Sequence, residues 1–84
     1  PQARFNRGLA LLKAGRNTEA SAVFRDLLGR NPRHADAHYY LGKSLVAQGS
    51  SREAGRHFRE ALALRPGDAG FLEGVDSLPE EETR

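Results

Sequence analysis

The 84-residue chain is long enough for one small domain, and its 38% apolar and 29% charged residues are typical of a folded helical protein rather than a disordered one. No apolar run approaches the roughly 20 residues that cross a bilayer, so no membrane insertion is expected, and the lack of cysteine excludes disulfides and thiolate metal sites. The net charge of +2 is unevenly distributed along the chain. Residues 73–84 hold five acids and one base, so a basic body is followed by an acidic end. Cytosol and periplasm both remain possible compartments.

Five helices are predicted in chain order, near residues 2–14, 18–30, 36–48, 52–64 and 69–78. The first and third should end at Gly15 and Gly49, because glycine takes the left-handed conformation that closes a helix at little cost. The last helix carries an apolar stripe at helical spacing, which should cover the end of the domain while its acids face water.

The second and fourth helices have start and stop signals of their own. They should begin at Asn17 and at Ser50 or Ser51, whose side-chain oxygens can accept hydrogen bonds from the exposed backbone amides. They should end before Pro32 and Pro66, because proline disfavours helix in the residue that precedes it.

The segments 1–34 and 35–68 repeat one another along the chain. Ten positions are identical without a gap: Ala3/Ala37, Gly8/Gly42, Leu11/Leu45, Gly15/Gly49, Glu19/Glu53, Ala20/Ala54, Phe24/Phe58, Arg25/Arg59, Leu28/Leu62 and Pro32/Pro66. Two helices of such a unit cannot bury their apolar faces alone, so neighbouring units must stack. We therefore predict repeats over 1–34 and 35–68, a capping helix over 69–78 and an acidic disordered tail over 79–84.

This pattern resembles the tetratricopeptide repeat family, in which each repeat carries the motif W-x2-L-G-x2-Y, then A-x3-F, then P. The second repeat reads His38-x2-Leu41-Gly42-x2-Leu45, Ala54-x3-Phe58, Pro66, and the first reads Arg4-x2-Arg7-Gly8-x2-Leu11, Ala20-x3-Phe24, Pro32. The resemblance implies an all-α fold: a right-handed α–α superhelix, or solenoid, of two helix–turn–helix repeats plus a C-terminal capping helix. Gly8 should face Ala20, and Gly42 should face Ala54, at the closest helix crossings. Arg4 and Arg7 depart from the motif, which suits either a solvated outer side or an altered packing of the first helix.

The resemblance also implies a function: a protein–protein interaction module that binds a peptide or helix in a concave groove, and not an enzyme. In this family the first helices of successive repeats line that groove. The groove residues predicted here are Phe5, Asn6, Leu9, Lys13, Tyr39, Tyr40 and Lys43. The wider stripe adds Gln2, Leu12, Asp36, Val46, Ala47, Glu73 and Ser77.

The groove residues have distinct expected roles. Asn6 can bond a peptide backbone, the two lysines can meet an acidic group, and the aromatic rings can take an apolar side chain or an amphipathic helix. The apolar residues and at least one tyrosine could instead serve helix packing. Some relatives grip a C-terminal carboxylate with Lys and Asn, but those places resemble Phe5, Leu9 and Tyr40 here, so such a clamp is not expected.

Other interpretations remain open. The chain could stack or self-associate within a longer array, or it could be a regulatory appendage of an enzyme that lies outside these residues. Nucleic-acid binding through Arg25, Arg52, Arg56 and Arg59 is not favoured, because the second helices form the convex face and carry interspersed acids. His34 and His38 have metal-ligand spacing but no third ligand, so neither a metal nor a cofactor is expected.

Overall fold

The computed structural model describes residues 2–78 and forms an all-α solenoid with a capping helix. The helices are α1 (Gln2–Lys13), α2 (Asn17–Arg30), α3 (Ala35–Ala47), α4 (Ser51–Leu64) and α5 (Ala69–Asp76), and no strand occurs within this range. Each helix packs on the next, and α5 also contacts α3. The predicted fold class is confirmed, with helix ends within two residues of expectation. The tail predicted over 79–84 lies outside the described residues.

The same turn closes the first helix of both repeats. Gly15 and Gly49 have φ angles of +81° and +86°, in the left-handed region that glycine tolerates. The amide of Arg16 donates to the Leu11 carbonyl at 2.9 Å, and the amide of Ser50 donates to the matching Leu45 carbonyl at 2.8 Å. These bonds satisfy carbonyls that the helix end would leave unpaired, in the manner of a Schellman motif.

The predicted side-chain caps of α2 and α4 are wrong. Asn17 lies inside the first turn of α2, and neither Arg16 nor Ser50 makes a capping bond with its side chain. Each of these two residues ends one turn and begins the next helix, which holds its backbone away from the extended conformation usual at a cap. Side chains do cap α3 and α5: Nδ1 of His34 accepts from the Ala37 amide, and the Asp68 carboxylate accepts from an amide of α5.

A phenylalanine ring packed on a glycine holds the two helices of each repeat together. Phe24 and Phe58 are almost completely buried. A Cβ on Gly8 would lie 2.7 Å from Cε1 of Phe24, and a Cβ on Gly42 would lie 2.7 Å from Cε1 of Phe58. The rings therefore lie directly against the glycines at these crossings, and Ala20 and Ala54 are fully buried as well.

The capping helix α5 uses the same kind of contact. A Cβ on Gly74 would lie 2.9 Å from Cε1 of Tyr39 and 3.0 Å from Cε1 of Phe58. The first distance is shorter than real Cβ contacts and the second is at that limit, so the glycine lets α5 approach α3 and α4 closely. Phe71 is buried beside it and completes the cover over the second repeat.

We predict that Gly42→Ala lowers the free energy of unfolding by about 1–3 kcal/mol, because Phe58 has no room to move. Gly29 is the matched control: it lies in α2 with nothing within 4 Å of its Cβ position. Gly29→Ala should raise stability by up to about 1 kcal/mol, since alanine loses less backbone entropy on folding. Urea denaturation of the two variants measures both effects. Equal effects of the two substitutions would contradict this account of the helix crossing.

Candidate functional site

A cleft opens between α3 and α5 on the side where the first helices lie. Its volume is about 230 Å³. Small-molecule pockets usually measure about 300–1,000 Å³, so this cleft suits one side chain or a stretch of backbone better than a whole organic ligand. The lining residues are Tyr39, Lys43, Val46, Phe58, Glu73, Gly74 and Ser77.

Aromatic contacts hold one wall of the cleft in place. The ring of Tyr39 packs against Phe58 and Phe71, with centroids 5.6 and 5.0 Å apart. Nζ of Lys43 lies 5.5 Å from the centroid of Tyr39, within the range of a cation–π contact. The tyrosine is thus fixed from the core side, while Lys43 remains exposed beside it.

The polar groups of the cleft come from both helices. Lys43 on α3 and Glu73 on α5 are exposed and carry opposite charges. The Ser77 hydroxyl, just beyond α5, donates to the Gly74 carbonyl at 2.9 Å, which leaves its oxygen able to accept. The cleft thus has an apolar floor with a hydrogen-bond donor and an acceptor at its edges.

Two of the predicted groove residues have mainly packing contacts. Phe5 is only 9% exposed, and its ring contacts Phe24, Tyr40 and the His34 imidazole with centroids 5.9, 5.8 and 5.3 Å apart. Tyr40 is half-buried and stacks on Phe24. These rings join the first repeat to the second and lie outside the cleft.

The other predicted groove residues of α1 form a separate, more polar surface. Asn6 is exposed, and its Oδ1 accepts from the Gln2 amide nitrogen at 3.3 Å. Lys13 is exposed at the end of the helix, and Leu9 is partly buried against the core. Of the predicted groove set, the structure brings only Tyr39 and Lys43 into the cleft.

Neither Phe58 nor Gly74 was placed in the groove by the sequence analysis. Both line the cleft. The repeat register carries a signal for Gly74, because it falls one repeat length after Tyr40 and therefore on the projected groove face. A residue without a side chain at such a position lets the neighbouring helices approach closely.

A histidine pair lies at the junction of the two repeats, away from the cleft. Nε2 of His38 is 2.9 Å from the Pro32 carbonyl oxygen, so this nitrogen carries the proton, because a carbonyl can only accept. Nδ1 of His38 lies 3.1 Å from Nδ1 of His57, and in a neutral His38 it accepts the proton that His57 donates. Nε2 of His57 in turn faces the Glu53 carboxylate at 3.9 Å.

His34 and His38 have the spacing of metal ligands, but the structure gives them different contacts. His34 caps α3, whereas His38 contacts His57 on α4. Among residues 2–78, no group of three potential ligands could hold a metal ion. No helix in the same range is long and apolar enough to span a membrane.

The surroundings shift two pKa values at this junction. Burial lowers the pKa of His57 below its usual 6.5, and the neighbouring His38 lowers it further. The hydrogen bond from Arg25, 3.0 Å long, lowers the pKa of Glu53 below its usual 4.5. The ion pair is exposed on α2 and α4, so it adds little stability by itself.

The geometry defines the chain as a helical repeat protein whose first helices carry a shallow cleft. Residues 2–69 match the tetratricopeptide repeat family, and this match covers most of the chain. The chain therefore belongs to the tetratricopeptide repeat family. Repeats of this family are generally protein-interaction modules and are typically non-catalytic. Comparison with curated proteins gives no match.

We predict that the domain loses stability as the pH falls through 6.5, the value expected for His57 in the unfolded chain. A base whose pKa is lower in the folded state binds more protons when unfolded, so acid favours unfolding and the stabilisation is complete only above this pH. His57→Gln should flatten the dependence of stability on pH between about pH 5.5 and 7, a range that lies above the usual pKa of 4.5 for Glu53. Urea midpoints across this range measure the effect.

His34→Asn is the control for this experiment, because asparagine preserves a capping acceptor and the histidine pair is untouched. The His34→Asn variant should retain the part of the pH dependence of stability that His57 causes. If the stability of His57→Gln depends on pH as strongly as that of the unaltered chain, the histidine pair is not the source of the acid sensitivity.

Proposed function

We propose that the chain binds a peptide or helical segment of a partner protein along the face formed by α1, α3 and α5. The observation that supports this proposal best is the cleft between α3 and α5, since it coincides with the surface on which the repeat register projects a groove. An apolar side chain of the partner would enter the cleft and lie against Val46 and Tyr39.

Support for an anchor at this point comes from the rigidity of the wall. Tyr39 is held by Phe58 and Phe71, so little conformational freedom is lost when a ligand contacts it. A buried anchor of this kind usually contributes most of the binding energy of an interface. Lys43 and Glu73, at the edge of the cleft, would orient the partner by pairing with an acid and a base on either side of its apolar side chain.

The exposed residues of α1 would extend the contact beyond the cleft. Asn6 can donate to and accept from a peptide backbone, and Lys13 can meet an acidic side chain. Solvent screens such rim contacts, so we expect them to contribute less affinity than the cleft does.

The proposal is tested with a displayed library of random peptides, followed by calorimetry on the selected sequences. We expect selected peptides that share an apolar residue and bind at micromolar dissociation constants. Val46→Arg should weaken binding at least about tenfold, because its side chain would fill the cleft. Arg52→Ala, on the exposed surface of α4, is the matched control and should leave affinity unchanged.

Amide chemical shifts would locate the peptide independently of affinity. Shifts concentrated at Lys43, Val46 and Ser77 agree with the proposal. Peptides that bind Val46→Arg as tightly as the unaltered chain, or shifts confined to α2 and α4, would refute it. An acidic C-terminal peptide of the chaperone type should not bind at micromolar concentration. The positions that would carry the Lys and Asn of a carboxylate clamp resemble Phe5, Leu9 and Tyr40 in this chain.

A further inference from the structure

The outer side of α1 is the counterpart of a buried surface in the second repeat. Ala37, Leu41 and Ser44 on α3 are fully buried, because α2 packs over them. The equivalent positions of the first repeat are Ala3, Arg7 and Ala10, and all three are exposed. We call this surface, together with the half-buried Leu11 at its edge, the α1 face. No helix within residues 2–78 covers it.

The opposite end of the domain presents the outer side of α5. Leu72 is 46% exposed and is the only exposed large hydrophobic residue within the described range. Glu73 and Asp76 lie beside it on the same helix and are also exposed. We call Leu72, Glu73 and Asp76 the α5 face. The sequence adds three further acids at positions 80–82.

The two faces have opposite charge. Arg4 already pairs with Asp26 at 3.3 Å, whereas Arg7 and Asp76 take part in none of the ion pairs formed within Gln2–Leu78. Two α1 faces brought together would place arginine against arginine, and two α5 faces would place acid against acid. Only the unlike pairing brings Arg7 to Asp76, so charge selects a head-to-tail contact over a symmetric one.

We propose that the α5 face of one copy of this chain docks on the α1 face of a second copy. Leu72 packs beside Leu11 and the small side chains of the α1 face, and Asp76 pairs with Arg7. The contact leaves an unused face at each end, so association is open-ended. Of the residues that line the cleft, this contact uses Glu73 alone. It does not depend on the proposed peptide-binding function.

An eight-residue helix offers little area, so the contact should be weak and should belong to the class of small, transient interfaces. Sedimentation equilibrium of the full chain over a concentration series, at low salt, measures it directly. The average mass should rise with concentration and fall again in about 1 M NaCl, where charges are screened beyond a few ångströms.

Charge reversal identifies the two faces. Arg7→Glu and Asp76→Arg should each weaken association about tenfold, because each sets like charges against one another. An equimolar mixture of the two variants should regain it, since each variant retains the face that complements the other. Arg33→Glu, an exposed loop position with the same change in net charge, should associate like the unaltered chain. Circular dichroism confirms that every variant is folded.

Three results would overturn the proposal. The first is a sedimentation mass equal to that of the monomer at every concentration up to about 1 mM, which would mean a dissociation constant weaker than about 1 mM. The second is self-association that Asp76→Arg leaves unchanged, which would indicate a symmetric contact. The third is a mixture of the two reversed variants that remains monomeric.

Discussion

The contact on which this domain depends is a phenylalanine ring packed against glycine in the facing helix. Phe58 makes it twice, against Gly42 of α3 and against Gly74 of α5. One ring thus sets the separation of three helices, because a side chain on either glycine would overlap it. In a domain this small, which buries little core in total, one such crossing carries a large share of the packing. The position of α5, and with it the width of the cleft, follows from this ring.

A chain of aromatic contacts links that crossing to the rest of the groove face. Phe5 on α1 contacts Tyr40, Tyr40 contacts Tyr39, and Tyr39 contacts Phe71 on α5, with centroids 4.9–5.8 Å apart. Each of these rings is partly or fully buried. The first helices are therefore joined to one another by aromatic side chains that the sequence analysis assigned to a groove. The ring of Tyr39 packs against Phe58 and Phe71 and also lines the cleft.

Sequence reasoning predicted the features that depend on neighbours along the chain or on the repeat register. Gly15 and Gly49 close their helices as expected, because a left-handed turn is a local requirement. It missed features that need two distant segments, such as the approach of His38 to His57. The failed cap at Ser50 has another cause: the three-residue turn between α3 and α4 ends on Ser50 and holds its backbone away from the capping conformation. The cleft was predicted in part, since its depth depends on which helix approaches Gly74.

Equivalent positions of the two repeats have different environments because the repeats occupy different places in the array. Leu41 is buried under α2, whereas Arg7, at the same position of the motif, meets no preceding helix among the described residues. An arginine at Leu41 would be an unpaired charge in the core, and a leucine at position 7 would enlarge an exposed apolar patch. At this motif position, the residue is leucine where another helix covers it and arginine where no described helix does. At the other end, Asp76 stands at the motif position of Gly42, where a following second helix would need close approach, so α5 suits the role of a cap.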